Sequence, residues 1–401
     1  MLDELFYIHH KTLEDVPRRF RRYLHEQIDW ESRHICIAGY RGTGKTTLLL
    51  QHYLDRYDDV EKCLYVSADN VVASAFGLFK IAGEYFRTGG ETLIIDEIHK
   101  FPGWERELKS IIDTFKKKRV LVSGSSSLSL KRGKADLSRR VVYYNLRELS
   151  FREYLELKEN LSSPTLTLDQ VLTEHAALSR KLSKGLPILK YFNDYLAQGA
   201  YPFIAEGAST YLSKLLNIIE KVISEDIPAS TDMRQSSIPV LRKMLWLIAS
   251  SSPFLVNIEK MSRELRVSKE YVYNYIEYLD RAGMINAIAP EGKGYKLVRK
   301  PGKILIANTN LLFAVNSSML SESAKGTVRE TFFANQLRSC FRTTLSGKGD
   351  FRVKDRYVFE VGGANKDGSQ LAGVADSYVA ADGIEVGFGN KIPLYLFGFL
   401  Y

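Results

Sequence analysis

The stretch ICIAGYRGTGKTTLLLQ constrains this chain more than any other feature. Gly39 and Gly44, followed by Lys45 and Thr46, have the spacing of a phosphate-binding loop. The reason is geometric. Glycines let the backbone curl so that successive N–H groups face one anion. The helix that starts behind them adds the positive end of its dipole. A lysine there sits on the β- and γ-phosphates, and the adjacent hydroxyl ligates Mg²⁺. Gly42 eases the turn further. The spacing therefore predicts ATP and Mg²⁺ as ligands, with Lys45 on the phosphates and Thr46 on the metal. A glycine-rich turn that binds nothing is the bland alternative; a strand before and a helix after weigh against it.

The surrounding pattern predicts an α/β domain. Residues 1–33 read as an arginine-rich helix leading into a strand over His34–Ala38, and a helix follows from Lys45 to Tyr57. Further apolar strands are expected over Cys63–Ser67, Thr92–Ile95 and Val120–Ser123, with helical patterns between them. Strands alternating with helices imply a parallel sheet covered on both faces. The third strand, in TLIIDEIHK, runs into Asp96 and Glu97. Two acids after a strand are usually surface residues. Here they stand about 50 residues after Lys45, where a parallel sheet delivers them to the magnesium. Asp96 is expected to hold the metal through a water and Glu97 to polarise the attacking water as general base. His99 completes a run resembling the DExH box of helicases. With no second sheet of that kind in the sequence, it reads as a local orienting residue or a structural one.

Beyond Ser150 the pattern changes. Phe151 to about Asn160 is helical, LSSPTLT is a polar linker, and residues 168–230 are mostly helical. Residues 238–300 read as three helices and a strand, with Ser268 capping the third helix. Val272, Ile276 and Leu279 face inward on that helix; Lys269, Tyr271 and Asn274 face out. Residues 283–298 are the expected wing of a winged helix-turn-helix. Boundaries near 155, 235 and 300 divide the chain into 1–155, 156–235, 236–300 and 301–401. In the last part, Glu330 on a helix and Asp350 and Glu360 on strands resemble the core of the PD-(D/E)XK nucleases. That pattern wants a lysine at 362, where this chain has Gly362, and Lys366 comes four residues late. An inactive α+β core is the expectation.

Four longer stretches resemble the prokaryotic AAA+ ATPases that carry a C-terminal domain of unknown function, relatives of the archaeal-type ATPases in the signalling branch of P-loop proteins. They are IDWESRHICIAGYRGTGKTTLLLQ, LIIDEIHKFPGWERELKSIIDTF, VLVSGSSSL and LSRRVVYYNLRELSFREYL. The likeness covers about residues 1–160, and continues more weakly through YLAQGAYPF, ISEDI and VRETFFANQL. It implies that Gly39, Tyr40, Arg41, Gly42, Thr43, Gly44, Lys45, Thr46 and Thr47 form the nucleotide loop, and that Asp96 and Glu97 form the Walker B pair. It implies that Ser125, with Ser123 as second choice, reaches the γ-phosphate from the fourth strand. Arg140 matches the family's motif arginine. The family places glycine before it where this chain has Arg139, so either arginine could act, in cis or in trans.

Composition adds exclusions. With 45% hydrophobic and 26% charged residues among 401, the chain can bury several cores. No apolar run approaches the roughly 18 residues that a membrane helix needs. Three scattered cysteines argue against a disulfide framework or a zinc site and suit a cytoplasmic setting. The net charge of +9 favours anionic partners, although acids and bases are interspersed. The reading that follows is ATP hydrolysis coupled to movement of the C-terminal domains. The alternatives are an ATP-dependent switch or DNA-binding regulator with little turnover, and an ATPase-linked nuclease. ATP, weakly held DNA, and a protein partner or second copy of the chain are the expected partners.

Overall fold

The computed structural model describes all residues except 125–136, 138, 232, 252–256, 293–300 and 317–321. The chain folds as two compact units, Met1–Glu148 and Leu149–Tyr401.

In the first unit, strands β1 (His34–Gly39), β2 (Cys63–Ser67), β3 (Thr92–Asp96), β4 (Arg119–Gly124) and β5 (Val142–Leu146) form one sheet in the order β2-β3-β4-β1-β5. Every pairing is parallel. Strand side chains alternate between the two faces, and the two cores follow that alternation. Leu93 and Ile95 join a core with Leu64, Val66, Val120 and Val122, covered by helices α4 (Val71–Phe76), α5 (Leu78–Arg87) and α6 (Trp104–Thr114) and by Leu5 of α1 (Leu2–Glu14). Ile94 turns the other way, with Ile35, Ile37 and Leu121, against Leu48 and Leu49 of α3 (Lys45–Arg56). Each such side chain contributes about 1.5–3 kcal/mol on burial.

Two local expectations change. The stretch 1–33 is not one helix: α1 ends at Glu14 and only a short helix, α2 (Leu24–Gln27), follows. Pro17 cannot continue a helix, and the Gln51 amide on α3 captures the carbonyls of Pro17 and Phe20 at 2.6 and 2.8 Å. Strand β5 was not expected; it occupies the sheet edge beside β1.

The first unit ends at Glu148. Ser150 and Glu153 make a reciprocal capping box at the start of α7 (Phe151–Glu159). Phe151 then packs among Phe192, Tyr395 and Phe399, all in the second unit. That unit continues through α8 (Leu168–Ser183), α9 (Ile188–Gln198), α10 (Tyr211–Lys221), α11 (Ile238–Ser250), α12 (Ile258–Leu265) and α13 (Lys269–Arg281). On α13 the stripe Val272, Ile276 and Leu279 is buried, and Tyr271 is exposed. Strand β6 (Ile285–Ile288) pairs antiparallel with β7 (Lys303–Ile306), so the partner strand lies beyond 300. Residues 293–298 of the expected wing fall outside the described residues.

After α14 (Thr309–Val315) and α15 (Glu322–Cys340), a second five-stranded sheet runs β12-β11-β10-β9-β8. Its members are β8 (Thr343–Leu345), β9 (Phe351–Val353), β10 (Tyr357–Gly362), β11 (Ser377–Ala381) and β12 (Lys391–Pro393). β8, β9 and β10 pair antiparallel, whereas β10, β11 and β12 are parallel.

Candidate functional site

The loop between β1 and α3 is built on its glycines. Gly42 and Gly44 have φ of 83° and 91°, a region that side chains enter only with strain. At Gly39 the constraint is contact: a Cβ would lie 2.4 Å from the Leu146 carbonyl oxygen of β5. Within the loop the Tyr40 carbonyl is a hub. It accepts from the Thr43 hydroxyl at 2.8 Å and from the Lys45 ammonium at 3.0 Å. Lys45 is 4% exposed, so its charge lies at the bottom of the loop.

Asp96, at the end of β3, gathers four donors. Thr46 Oγ1 donates to Oδ2 at 2.6 Å, and the Tyr65 hydroxyl of β2 to the same oxygen at 2.9 Å. The Ser123 hydroxyl of β4 donates to Oδ1, as does the Glu97 N–H at 3.1 Å. Burial and the Asp96 charge push the Tyr65 phenol well above its ordinary pKa, so it stays a donor. Ser123 Oγ also accepts from the Glu97 N–H at 3.1 Å, bracing the acidic pair.

Glu97 has φ of 51°, which takes it out of the strand direction. Its Oε2 lies 3.6 Å from Lys100 Nζ and 3.9 Å from His99 Nε2. Lys100 is also 2.6 Å from Asp69 Oδ2. Burial disfavours the Lys100 charge, but the Asp69 hydrogen bond and the Glu97 charge outweigh it and raise the pKa.

The structure thus brings Thr46, Asp96, Glu97 and Ser123 together beside the glycine loop that holds Lys45. Arg140 forks onto Asp113 of α6, Nε to Oδ1 at 2.8 Å and Nη2 to Oδ2 at 3.2 Å, and Arg139 is exposed. Ser125 lies outside the described residues. Tyr65 and Lys100 were missed by sequence reasoning. Nothing local marks Tyr65, a buried position of an ordinary apolar strand, and Lys100 sits in the same run as His99.

The donor set suits a magnesium nucleotide. One carboxylate and one hydroxyl are the hard oxygen ligands that Mg²⁺ uses when phosphates and waters supply the rest. Among the described residues no three His, Cys, Asp or Glu side chains form a metal-holding group of their own.

In the second unit the acids singled out by sequence are internally engaged. Glu330 pairs with Lys303 at 2.5 Å. Burial raises its pKa against the pull of that lysine. Asp350 accepts the Val361 N–H at 2.7 Å. Glu360 is 1% exposed, and Lys366 Nζ approaches Oε1 to 2.7 Å. Among the described residues no hydrogen bond of normal geometry reaches either Glu360 oxygen, so this contact is a charge pair. A Cβ on Gly362 would lie 2.7 Å from Lys366 Cγ. The late lysine therefore fills the space that a side chain at 362 would occupy.

On α13, Lys269 pairs with Glu259 and Arg281 with Glu277, so neighbouring acids neutralise two of the basic residues that could face DNA. No described helix is long and apolar enough to cross a membrane.

Comparison with known proteins finds similarities in both units. Residues 31–155 match the family model described as an AAA domain, and residues 189–322 match a domain of unknown function. Residues 31–155 are thus similar to AAA domains. The uncharacterized protein MJ1637 of Methanocaldococcus jannaschii is 26% identical over 386 residues, spanning 89% of this chain and 81% of the relative. An uncharacterized protein of Haemophilus influenzae is 23% identical over 293 residues, 68% of each chain. Among solved structures, the replication initiator DnaA bound to AMPPCP and single-stranded DNA aligns over 69% of this chain and 86% of its own. It does so at 18% identity and a TM-score of 0.27. AMPPCP-bound DnaA from Aquifex aeolicus aligns over 69% and 88%, at 15% identity and a TM-score of 0.25. What those proteins bind belongs to them.

Proposed function

We propose that the first unit binds ATP with Mg²⁺ and hydrolyses it, and that the cycle moves the C-terminal domains. The observation that carries the reading is the Asp96 carboxylate, which takes hydrogen bonds from Thr46 of the loop helix, Tyr65 of β2 and Ser123 of β4. Three segments distant in sequence converge on one acid beside a glycine loop. A purely structural loop gives no reason for this.

The roles follow from the contacts. Lys45 leaves the Tyr40 carbonyl for the β- and γ-phosphates, and the N–H groups of residues 40–47 cradle the same anion. Thr46 and, through a water, Asp96 would hold the metal, which would supply charge stabilisation at the transferring phosphate. Glu97 accepts a proton from the attacking water, while Lys100 and His99 hold its carboxylate in place. Ser123 fixes the Glu97 backbone. Ser125 and Arg140 remain assigned to the γ-phosphate end of the site. Arg140 has to exchange Asp113 for that role, in cis or on a neighbouring copy.

In the second unit, α12, α13 and the β6–β7 pair support a winged helix, and α15 with the mixed sheet supports a nuclease-like core. Pairing of Glu330 with Lys303 and of Glu360 with Lys366 favours packing over catalysis there. Weak, non-specific DNA binding, a protein partner or a second copy, and a cytoplasmic setting complete the proposal.

The test is direct. Lys45→Ala should weaken ATP binding 10-fold or more by calorimetry, roughly the worth of one charge-assisted contact. Glu97→Gln should keep ATP bound and cut phosphate release roughly 10²-fold, the share of a positioned base. Unchanged ATP affinity in Lys45→Ala removes the nucleotide reading. Wild-type turnover in Glu97→Gln removes the base.

A further inference from the structure

The arginine-rich segment before β1 contains a residue that the proposed mechanism does not use. Arg22 is 4% exposed. Its Nη1 donates to the Thr43 carbonyl in the middle of the loop, and its Nη2 to the carbonyls of Arg147 and Glu148, at 2.7 and 3.0 Å. One planar fork thus holds the loop and the chain leaving β5, which a lysine's point charge cannot do.

We infer that Arg22 is a positioning residue for the nucleotide, and that it acts by fixing the peptide between Thr43 and Gly44. The inference rests on reading residues 39–47 as a nucleotide loop. In a trans peptide the C=O and N–H point in opposite directions. Holding the Thr43 oxygen therefore aims the Gly44 N–H the other way. Gly44 has the left-handed φ of 91°, and glycine's freedom makes its preceding peptide free to turn over. A turned peptide presents an oxygen where the bound phosphate needs a donor. The Arg22 guanidinium holds that oxygen back. The reference frame for both ends of the loop is the end of β5: Gly39 lies against the Leu146 carbonyl, and Arg22 ties Thr43 to residues 147 and 148. The loop is preset before a nucleoside di- or triphosphate arrives, which lowers the ordering cost of binding.

A merely structural arginine predicts something different: loss of stability with affinity intact at temperatures where the protein is folded. The experiment uses the full chain with Arg22→Met, Arg22→Lys, Arg21→Met and Lys45→Ala. Calorimetry with Mg²⁺-ADP and Mg²⁺-ATP is run well below each melting temperature, alongside steady-state phosphate release. Arg22→Met should weaken ADP and ATP about equally, 10-fold or more, and raise KM by a similar factor. The kcat at saturation should stay within about 3-fold, because Asp96 and Glu97 are untouched. Arg22→Lys, which keeps charge and some donors and guards against a misfolded Met variant, should fall between. Arg21→Met is the control; Arg21 forks onto Asp55 outside the loop, and affinity should not change. If Arg22→Met and Arg22→Lys both bind within 2-fold of wild type while Lys45→Ala fails to bind, the nucleotide reading stands and the Arg22 inference falls. If wild type does not bind, both fall.

Discussion

The Thr46 hydroxyl donates to Asp96 Oδ2 across 2.6 Å, tying the first turn of α3 to the end of β3. Two groups that suit a magnesium ion thus satisfy each other. Asp96→Ala removes one of them and unpairs the Tyr65 and Ser123 hydroxyls. ATP affinity in the presence of Mg²⁺ should fall about 10-fold or more, the worth of a hydrogen bond to a charged group. Affinity in EDTA should change much less. Calorimetry with and without Mg²⁺ measures both. An equal loss in the two conditions would show that Asp96 shapes the loop and does not serve the metal.

The half of this site that is local in sequence could be read from it. Gly39, Gly44, Lys45 and Thr46 stand at fixed spacing, and their glycines meet φ and contact requirements that the structure displays. Asp96 and Glu97 could be placed because a parallel sheet puts strand ends side by side. Arg22 and Tyr65 could not. Each acts across the fold, on a partner 21 or 31 residues away, and neither spacing nor residue type foretells it. Strand β5 was missed because Val142 and Asn145 are exposed and its pattern lacks the continuous apolar run of the inner strands. The helix expected over 1–33 fails for a local reason, Pro17, which was there to be read, and a tertiary one, the capture of the Pro17 and Phe20 carbonyls by Gln51.

Buried histidines make the first unit sensitive to acid. Burial, with help from His10, pulls the His9 pKa down to about 4. Burial, then the charges of Arg119, Arg56 and His25, pull that of His52 to about 3. The unfolded chain takes up these protons near the ordinary value of 6.5, and the folded chain refuses them until much lower pH. Stability is therefore full above about 6.5 and is lost as pH falls toward 4, by up to about 1.4 kcal/mol per pH unit for each histidine. His52→Phe should keep the stack on Trp30, whose rings are 3.7 Å apart, and remove one histidine's share of the slope. Urea midpoints between pH 7.5 and 5 test it. An unchanged slope in His52→Phe would mean that His52 is protonated in the folded state.

Asn310 organises the second unit. It is fully buried at the start of α14. Its Oδ1 accepts from the Gly199 and Ala200 N–H groups at 2.7 and 2.8 Å and from Tyr211. Its Nδ2 donates to the Tyr195 and Leu196 carbonyls at 3.0 and 2.9 Å. One amide side chain thus closes the end of α9. Asn310→Leu keeps the volume and leaves these groups without partners, at about 1–3 kcal/mol for each that water cannot reach. A loss of roughly 3 kcal/mol or more in urea unfolding is expected. A loss under about 1 kcal/mol would mean that water enters and replaces the amide.

Glu330, Asp350 and Glu360 carry the last prediction. Glu360 is buried against Lys366, and Glu330 against Lys303, so two of the three acids already have a cation. Asp350 spends one oxygen on the Val361 N–H. A divalent metal would have to displace these partners. The full chain should therefore not nick supercoiled plasmid with Mg²⁺ or Mn²⁺, with or without ATP. Lys366→Met should instead lower the urea midpoint, because it strands a buried carboxylate. The discriminating result is Mg²⁺-dependent nicking by wild type that is lost in both Asp350→Ala and Lys366→Met. Lys366 already fills the space beside Gly362, so that outcome would make it the working lysine, reached from a position four residues late in the sequence.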